Sequence, residues 1–294
     1  MKKPNFFIIG APKCGTTALS EYLRTHPNIY FSQPKELHFF NADHGICKMK
    51  TLLQYLSYFD DAEEQHQALG EGSVLYLFSR VAVPSIMEFN PEARFIVMLR
   101  NPVDLAYSWH SEAVSGAAET VLSFERAWRM QDARRHGRLL PRWCPERKLL
   151  LYGDIGLLGQ QLGRLFDHVA RDRVHVLLFE DFVADPRRAY EGVLEFLGVP
   201  FDQRREFPRL NENKRLRSAQ LASGLRLLGL LKERLGLHRN WGLLGMADRW
   251  NVARALRRPL SPAFANELRD YFRSDIRRLS KLLDRDLSHW SEVA

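Results

Sequence analysis

The chain has 294 residues, 45% of them hydrophobic, and a formal net charge of +8. That is room for one large α/β domain or two small ones, with an apolar share ordinary for a globular protein. Its three cysteines show no paired spacing, which argues against a disulfide framework, a zinc site or a redox pair, and no apolar run approaches the ~18 residues of a membrane span.

The first element is the apolar run Phe6-Phe7-Ile8-Ile9, read as a short buried strand. Gly10 ends it, and Thr16-Thr17 open a helix through Leu23. The start, Met1-Lys2-Lys3, is charged, but the four apolar residues after it are too few for a signal peptide, so a cytoplasmic protein is expected. Ile29-Tyr30-Phe31 is a second strand-like run. The stretch from Ser32 to Phe40 is too polar at 33–36 for a core strand and reads as a loop at the strand ends. A helix is expected over 51–59, a short strand over 70–73 and a helix over 84–89.

Arg94 to Arg100 holds five consecutive apolar residues between arginines, the pattern of a parallel strand buried on both faces. Asn101-Pro102 turns it into a helix over 103–111, with proline suited to the first helical position. Residues 112–150 read as irregular, basic and tryptophan-bearing. A helix over 159–170, a strand over 173–179 ended by Glu180-Asp181, and a helix over 185–197 stopped by Gly198 follow. Residues 204–220 read as a mobile basic loop, and amphipathic helices are expected near 219–235 and 262–284. The alternation predicts an α/β fold of three layers, a mostly parallel sheet flanked by helices. One domain over 1–294 is expected, with a nucleotide-binding core at about 4–200 and a basic loop and helical extension at 201–294.

Strand, glycine loop and helix together make a phosphate site, because loop and first-turn amides converge where the helix dipole favours an anion. Gly10 and Gly15 have the spacing of the ATP-binding loop G-x-x-x-x-G-K-[ST], and Thr17 stands at its hydroxyl position. The residue after the second glycine is Thr16 rather than lysine, and the only lysine, Lys13, lies inside the loop. No strand ends in a convincing metal-binding aspartate; Glu180-Asp181 is the nearest. A kinase or NTPase would lack two parts, whereas a loop holding one 5′-phosphate, with Lys13 reaching the group beyond it, is complete.

Three stretches resemble a known family: Ala11 to Thr17, Lys35-Glu36-Leu37-His38-Phe39-Phe40, and Leu99 to Ser108. They are similar to the sulfotransferases that use 3′-phosphoadenosine 5′-phosphosulfate (PAPS), above all the carbohydrate branch with the heparan sulfate enzymes and their bacterial relatives. The resemblance implies a P-loop NTPase-like fold and no need for a metal. It implies that Lys13, Cys14, Gly15, Thr16 and Thr17 form the 5′-phosphosulfate loop, with Lys13 neutralising the leaving oxygen. Arg100 and Ser108 match the 3′-phosphate site. Glu36 matches the general base, and His38 and Lys35 would tune it or meet an anionic acceptor; Glu71 is a second candidate base. Basic residues 209–218, Lys214 and Arg217 among them, stand where family members close a loop over the 3′-phosphate, although the R-K-G-x-x-G-D-W form of cytosolic members is absent.

The implied partner is a small-molecule or glycan acceptor, which a basic surface with Trp128, Trp143 and Trp241 suits. Nucleic acid is set aside, since neither zinc-finger spacing nor an RNP-like aromatic motif accompanies the charge. A stripe of Leu221, Leu225, Leu228 and Leu235 reads as a packing face or a homo-oligomer contact; a lipid-linked acceptor would instead make it a peripheral membrane contact. The rivals are a P-loop kinase or NTPase and a non-catalytic nucleotide-binding module.

Overall fold

The computed structural model describes residues 2–47, 49–142, 144–208, 214–216, 252–254 and 259–292. In chain order the elements are β1 (Phe6–Gly10), α1 (Thr16–Arg24), β2 (Ile29–Phe31), α2 (Leu52–Leu56), β3 (Ala68–Glu71), α3 (Ala82–Phe89), β4 (Arg94–Leu99), α4 (Pro102–Ser115), α5 (Phe124–Arg129) and α6 (Gln131–Arg135). They continue with α7 (Tyr152–Gly156), α8 (Leu158–Phe166), β5 (Val174–Leu178), α9 (Phe179–Ala184), α10 (Pro186–Leu197), β6 (Lys214–Leu216), β7 (Val252–Arg254) and α11 (Pro262–Leu283).

The sheet runs β2-β3-β1-β4-β5 with every pair parallel. β1 is wholly buried, and β4 is buried from Phe95 onward. Both are therefore continuous apolar runs without alternation, because helices cover both faces. The chain leaves β1 to build β2 and β3 on one side, then returns to build β4 and β5 on the other. That makes the carboxyl end of β1 a topological switch point, where open α/β sheets bind ligands. Gly10, Glu71 and Arg100 end, or directly follow, three adjacent strands there.

Local chemistry sets the helix starts. The Asn101 side chain accepts from the Val103 amide at 3.0 Å with Pro102 behind it, and Asp185 accepts from the Arg188 amide at 3.0 Å ahead of Pro186. Both are side-chain caps on orphan amides. The helix expected over 103–111 extends to Ser115, and 112–150 contains α5 and α6 rather than remaining irregular. Ser123 caps α5 through the Arg126 amide. Glu180 and Asp181 lie in the first turn of α9, not at the end of a strand. Residues 214–216, expected inside a loop, form β6 paired antiparallel with β7. The partner is distant in sequence and three residues long, so no local pattern announces it. The helix expected near 219–235, together with Trp143 and Trp241, lies outside the described residues.

α11 belongs to the main core: Phe264, Leu268, Phe272, Ile276 and Leu279 are buried along it. It approaches α8 closely because a Cβ at Gly159 would fall 2.4 Å from the Asp275 carbonyl oxygen. The Asp275 carboxyl then accepts from the amides of Gly159 at 2.7 Å and Gln160 at 2.8 Å, capping α8 from another helix. Asp275→Ala leaves one buried and one partly buried donor unpaired and should cost about 2 kcal/mol, a fall of ~3 °C in melting temperature for a chain of this size. Calorimetric melting checks this; an unchanged midpoint would remove the cap from the account.

Candidate active site

The loop between β1 and α1 is shaped by residues in left-handed backbone conformations. Gly15, at φ 88°, is the residue before α1, and Lys13 has φ 64°. A side chain at Gly10, φ 144°, would lie 2.7 Å from the Val74 carbonyl oxygen, so only glycine fits there. No side chain caps α1 and no acidic residue stands in its first turn. Among the described residues no side chain caps the first-turn amides, and the helix dipole adds to their pull on an anion. Cys14 is fully buried, and burial pushes its thiol up to about 12 against the opposing pull of Arg100 and Lys13. It is a neutral packed side chain whose backbone is what the loop can offer.

Two cations stand over this loop. The Arg100 guanidinium lies 4.7 Å from the Phe179 ring centroid and 3.5 Å from the Lys13 carbonyl oxygen, with Asp104 at 3.4 Å. Lys13 Nζ, half-buried, donates to the exposed Glu112 Oε2 at 2.9 Å. Glu112 was not singled out from sequence; its one signal is its place four residues after Ser108, on the same face of α4. Ser108 is buried on α4. The backbone of β6, which includes Lys214, comes within 8 Å of α4, while Arg217 lies outside the described residues. These groups gather positive charge and hydrogen-bond donors around the loop.

The stretch from Lys35 to Phe40 supplies the second half of the site. Glu36 Oε1 accepts from Lys35 Nζ at 3.0 Å, and Glu36 Oε2 lies 3.0 Å from His38 Nε2. Burial alone would raise the Glu36 carboxyl, but the His38 and Lys35 bonds outweigh it and hold Glu36 below the usual carboxylate range. The same Lys35 ammonium lies 3.5 Å from Thr16 Oγ1. One side chain thus joins the phosphate loop to the carboxylate. His38 has φ 53°, and its amide donates to Ser73 Oγ at 2.9 Å, while Asn41 Nδ2 lies 3.4 Å from His38 Nδ1. The imidazole is therefore held at both ring nitrogens.

Glu71, at the end of β3, is fully buried, and neither of its carboxyl oxygens has a hydrogen-bond partner of standard geometry. Burial raises its pKa to about 8, opposed by the Tyr76 and Ser73 hydroxyls and reinforced by the Glu36 charge. At neutral pH this pair of carboxyls holds one ionised and one protonated member, Glu36 and Glu71 respectively.

His110, which follows the third motif and reads as structural, and the Glu180–Asp181 pair are engaged elsewhere. His110 is buried and its Nε2 faces the Val121 carbonyl oxygen at 2.8 Å. Glu180 and Asp181 are engaged by Arg285, His289 and Trp290 from the C-terminal segment, and no group of three or more potential metal ligands occurs among the described residues. No helix among the described residues is long and apolar enough to cross a membrane.

A model of the sulfotransferase domain family matches residues 3–224. Carbohydrate sulfotransferase 15 of Mus musculus is 35% identical over 147 residues, covering 36% of this chain and 26% of that protein. The bifunctional heparan sulfate N-deacetylase/N-sulfotransferase 2 of Mus musculus is 28% identical over 239 residues, covering 79% of this chain and 26% of that protein. The chain thus spans about a quarter of the length of these curated relatives. The crystal structure of a sulfotransferase from Alicyclobacillus acidocaldarius superposes with a TM-score of 0.73 at 29% identity, covering 99% of this chain and 100% of that one.

The raised Glu71 pKa has a thermodynamic consequence. Between the ordinary value of 4.5 and about 8 the folded chain keeps a proton that the unfolded chain releases. Stability therefore falls as pH rises through that window, by up to about 1.4 kcal/mol per pH unit. Glu71→Gln keeps the shape and removes the titration. Its melting temperature should gain on the wild type steadily from pH 5 to pH 8; parallel curves would show Glu71 ionised in the folded state.

Proposed function

The chain belongs to the sulfotransferase domain family, and we propose that it transfers a sulfuryl group from PAPS to an acceptor hydroxyl, that of a carbohydrate, a glycolipid or another small metabolite. The observation that carries this reading is the Lys35 ammonium, which reaches Thr16 of the phosphate loop and Glu36 together. It puts a candidate base and an anion cradle into one site. The carbohydrate class draws support from the names of the relatives, carbohydrate and heparan sulfate sulfotransferases.

PAPS supplies, when bound, an activated sulfuryl group and a phosphate leaving group. The chain's own residues then have distinct tasks. Thr16, Thr17 and the first-turn amides of α1 hold the 5′ end, and Arg100 and Ser108 the 3′-phosphate. Lys13 puts positive charge on the loop where negative charge develops on the leaving oxygen, the kind of preorganised stabilisation that lowers a barrier most. Its present partner Glu112 is exposed, so that ion pair is worth less than about 1 kcal/mol and yields easily to a ligand anion. Glu36, ionised and oriented by His38 and Lys35, accepts the proton of the attacking hydroxyl. The two donors that lower its pKa also fix its direction, so the base acts by position rather than by strength.

Lys13→Ala should lower turnover about a hundredfold, roughly 3 kcal/mol of barrier, by analogy with a lost oxyanion donor. Near-normal transfer by that variant would remove Lys13 from the mechanism. Glu36→Gln should lose at least about a hundredfold in turnover and keep its affinity for the product nucleotide 3′-phosphoadenosine 5′-phosphate (PAP) within about twofold. Parallel loss of turnover and PAP affinity would make Glu36 a structural residue of the nucleotide site. Steady-state kinetics and calorimetric titration separate the two outcomes.

A further inference from the structure

Glu180 and Asp181, the nearest thing in the sequence to a metal-ligand pair, are taken instead by the C-terminal segment. α11 ends at Asp284, whose left-handed φ of 49° turns the chain back. Leu287, fully buried, pins the returning chain to the core, and Asp286 accepts from the Ser288 amide at 2.8 Å to shape the single turn that follows. Three side chains then reach the start of α9. Arg285 donates to both Asp181 oxygens, His289 Nε2 lies 3.1 Å from Glu180 Oε1, and the Trp290 indole N–H donates to Glu180 Oε2 at 3.0 Å. α9 has six residues and no side-chain cap, so it is too short to keep its shape without such tertiary contacts.

Trp290 is 2% exposed and has a second hold. Its carbonyl oxygen accepts from Asn101 Nδ2 at 3.2 Å, while Asn101 Oδ1 caps α4 through the Val103 amide. One residue is thus bonded on one side to the neighbour of Phe179, the first residue of α9, and on the other to the neighbour of Arg100. Phe179 and Arg100 are themselves a pair, with the guanidinium 4.7 Å from the ring centroid. The other contacts of Arg100, with Asp104 at 3.4 Å and the Lys13 carbonyl at 3.5 Å, are long for hydrogen bonds, so the ring sets the plane of the guanidinium. An arginine grips phosphate through a flat fork of N–H groups, and its grip depends on that plane. The same ring packs against Gly15, where a Cβ would meet it at 3.1 Å.

We infer that Trp290 is a positioning residue: through Glu180 and Asn101 it fixes Phe179 against Arg100, and so prepares Arg100 to read the 3′-phosphate of the nucleotide. The inference rests on the PAPS reading for the 3′-phosphate, and on the bonds of Trp290 for the rest.

Calorimetric titration of the full chain with PAP and with adenosine 5′-monophosphate (AMP), which lacks the 3′-phosphate, tests it without any transfer reaction. The wild type should bind PAP at least about tenfold tighter than AMP. Trp290→Phe keeps an apolar ring and removes the indole donor. It should cut the preference for PAP about fivefold, the effect of one net hydrogen bond, and leave AMP affinity within about twofold. Glu180→Ala, a change at a half-exposed side chain, should do the same, whereas Glu180→Gln still offers the indole an oxygen and should keep the preference. In an Arg100→Ala background, Trp290→Phe should lower the preference no further. Equal weakening of PAP and AMP would make Trp290 a general support of the fold and overturn the proposal. So would a preference indifferent to Trp290→Phe and Glu180→Ala, or one that Trp290→Phe lowers as much beside Arg100→Ala. A wild type that binds PAP no tighter than AMP would strike the PAPS reading instead, and the inference with it.

Discussion

The amides that open α1 have no side-chain cap, and the rest of the site is arranged around that set of donors. β1 delivers them at the middle of a parallel sheet, between β3 and β4. The neighbouring strand ends then contribute opposite chemistry. From the β4 side comes Arg100, stacked on Phe179 and touching the loop carbonyl of Lys13. From the β3 side comes Glu71, buried and protonated at neutral pH, beneath the Lys35–Glu36–His38 cluster. Cations and donors gather where the anion belongs, and the one ionised carboxylate of the cluster sits beyond them, tethered through Lys35.

Electrostatics also explains why two glutamates so near each other have separate roles. Ionising both side by side would be costly, and the chain avoids it by unequal surroundings, Glu71 being fully buried and Glu36 reached by solvent. Glu36 has an ammonium and an imidazole at 3.0 Å each. Glu71 has no hydrogen-bond partner of standard geometry and keeps its proton. The chain's positive charge has a comparable logic. Part of it is spent in pairs that hold the scaffold, such as the fully buried Arg134–Glu119.

Much of the fold was legible in the sequence because buried parallel strands are written as unbroken apolar runs. Phe6 to Ile9 and Phe95 to Leu99 are such runs, and Asn101-Pro102, Asp185-Pro186 and Gly198 punctuate the helices by known cap chemistry. The phosphate loop was legible for the same reason: glycine spacing and left-handed backbone go together. What escaped depends on contacts across long sequence distances. Nothing local tells that Lys35 reaches Thr16, that Glu112 pairs with Lys13, or that Asp275 caps α8. The spatial strand order was likewise not legible beyond its general type. Glu71 was noted as an acid but not as a protonated one, since burial is a tertiary property.

The central claim is that the loop and the Glu36 cluster form one centre for sulfuryl transfer. It is tested most directly by incubating the chain with PAPS bearing radiolabelled sulfate and with carbohydrate-containing fractions, then following label by mass spectrometry. The account predicts label in a hydroxyl-bearing product, with one PAP released per sulfate transferred. Absence of transfer together with magnesium-dependent turnover of ATP would contradict it.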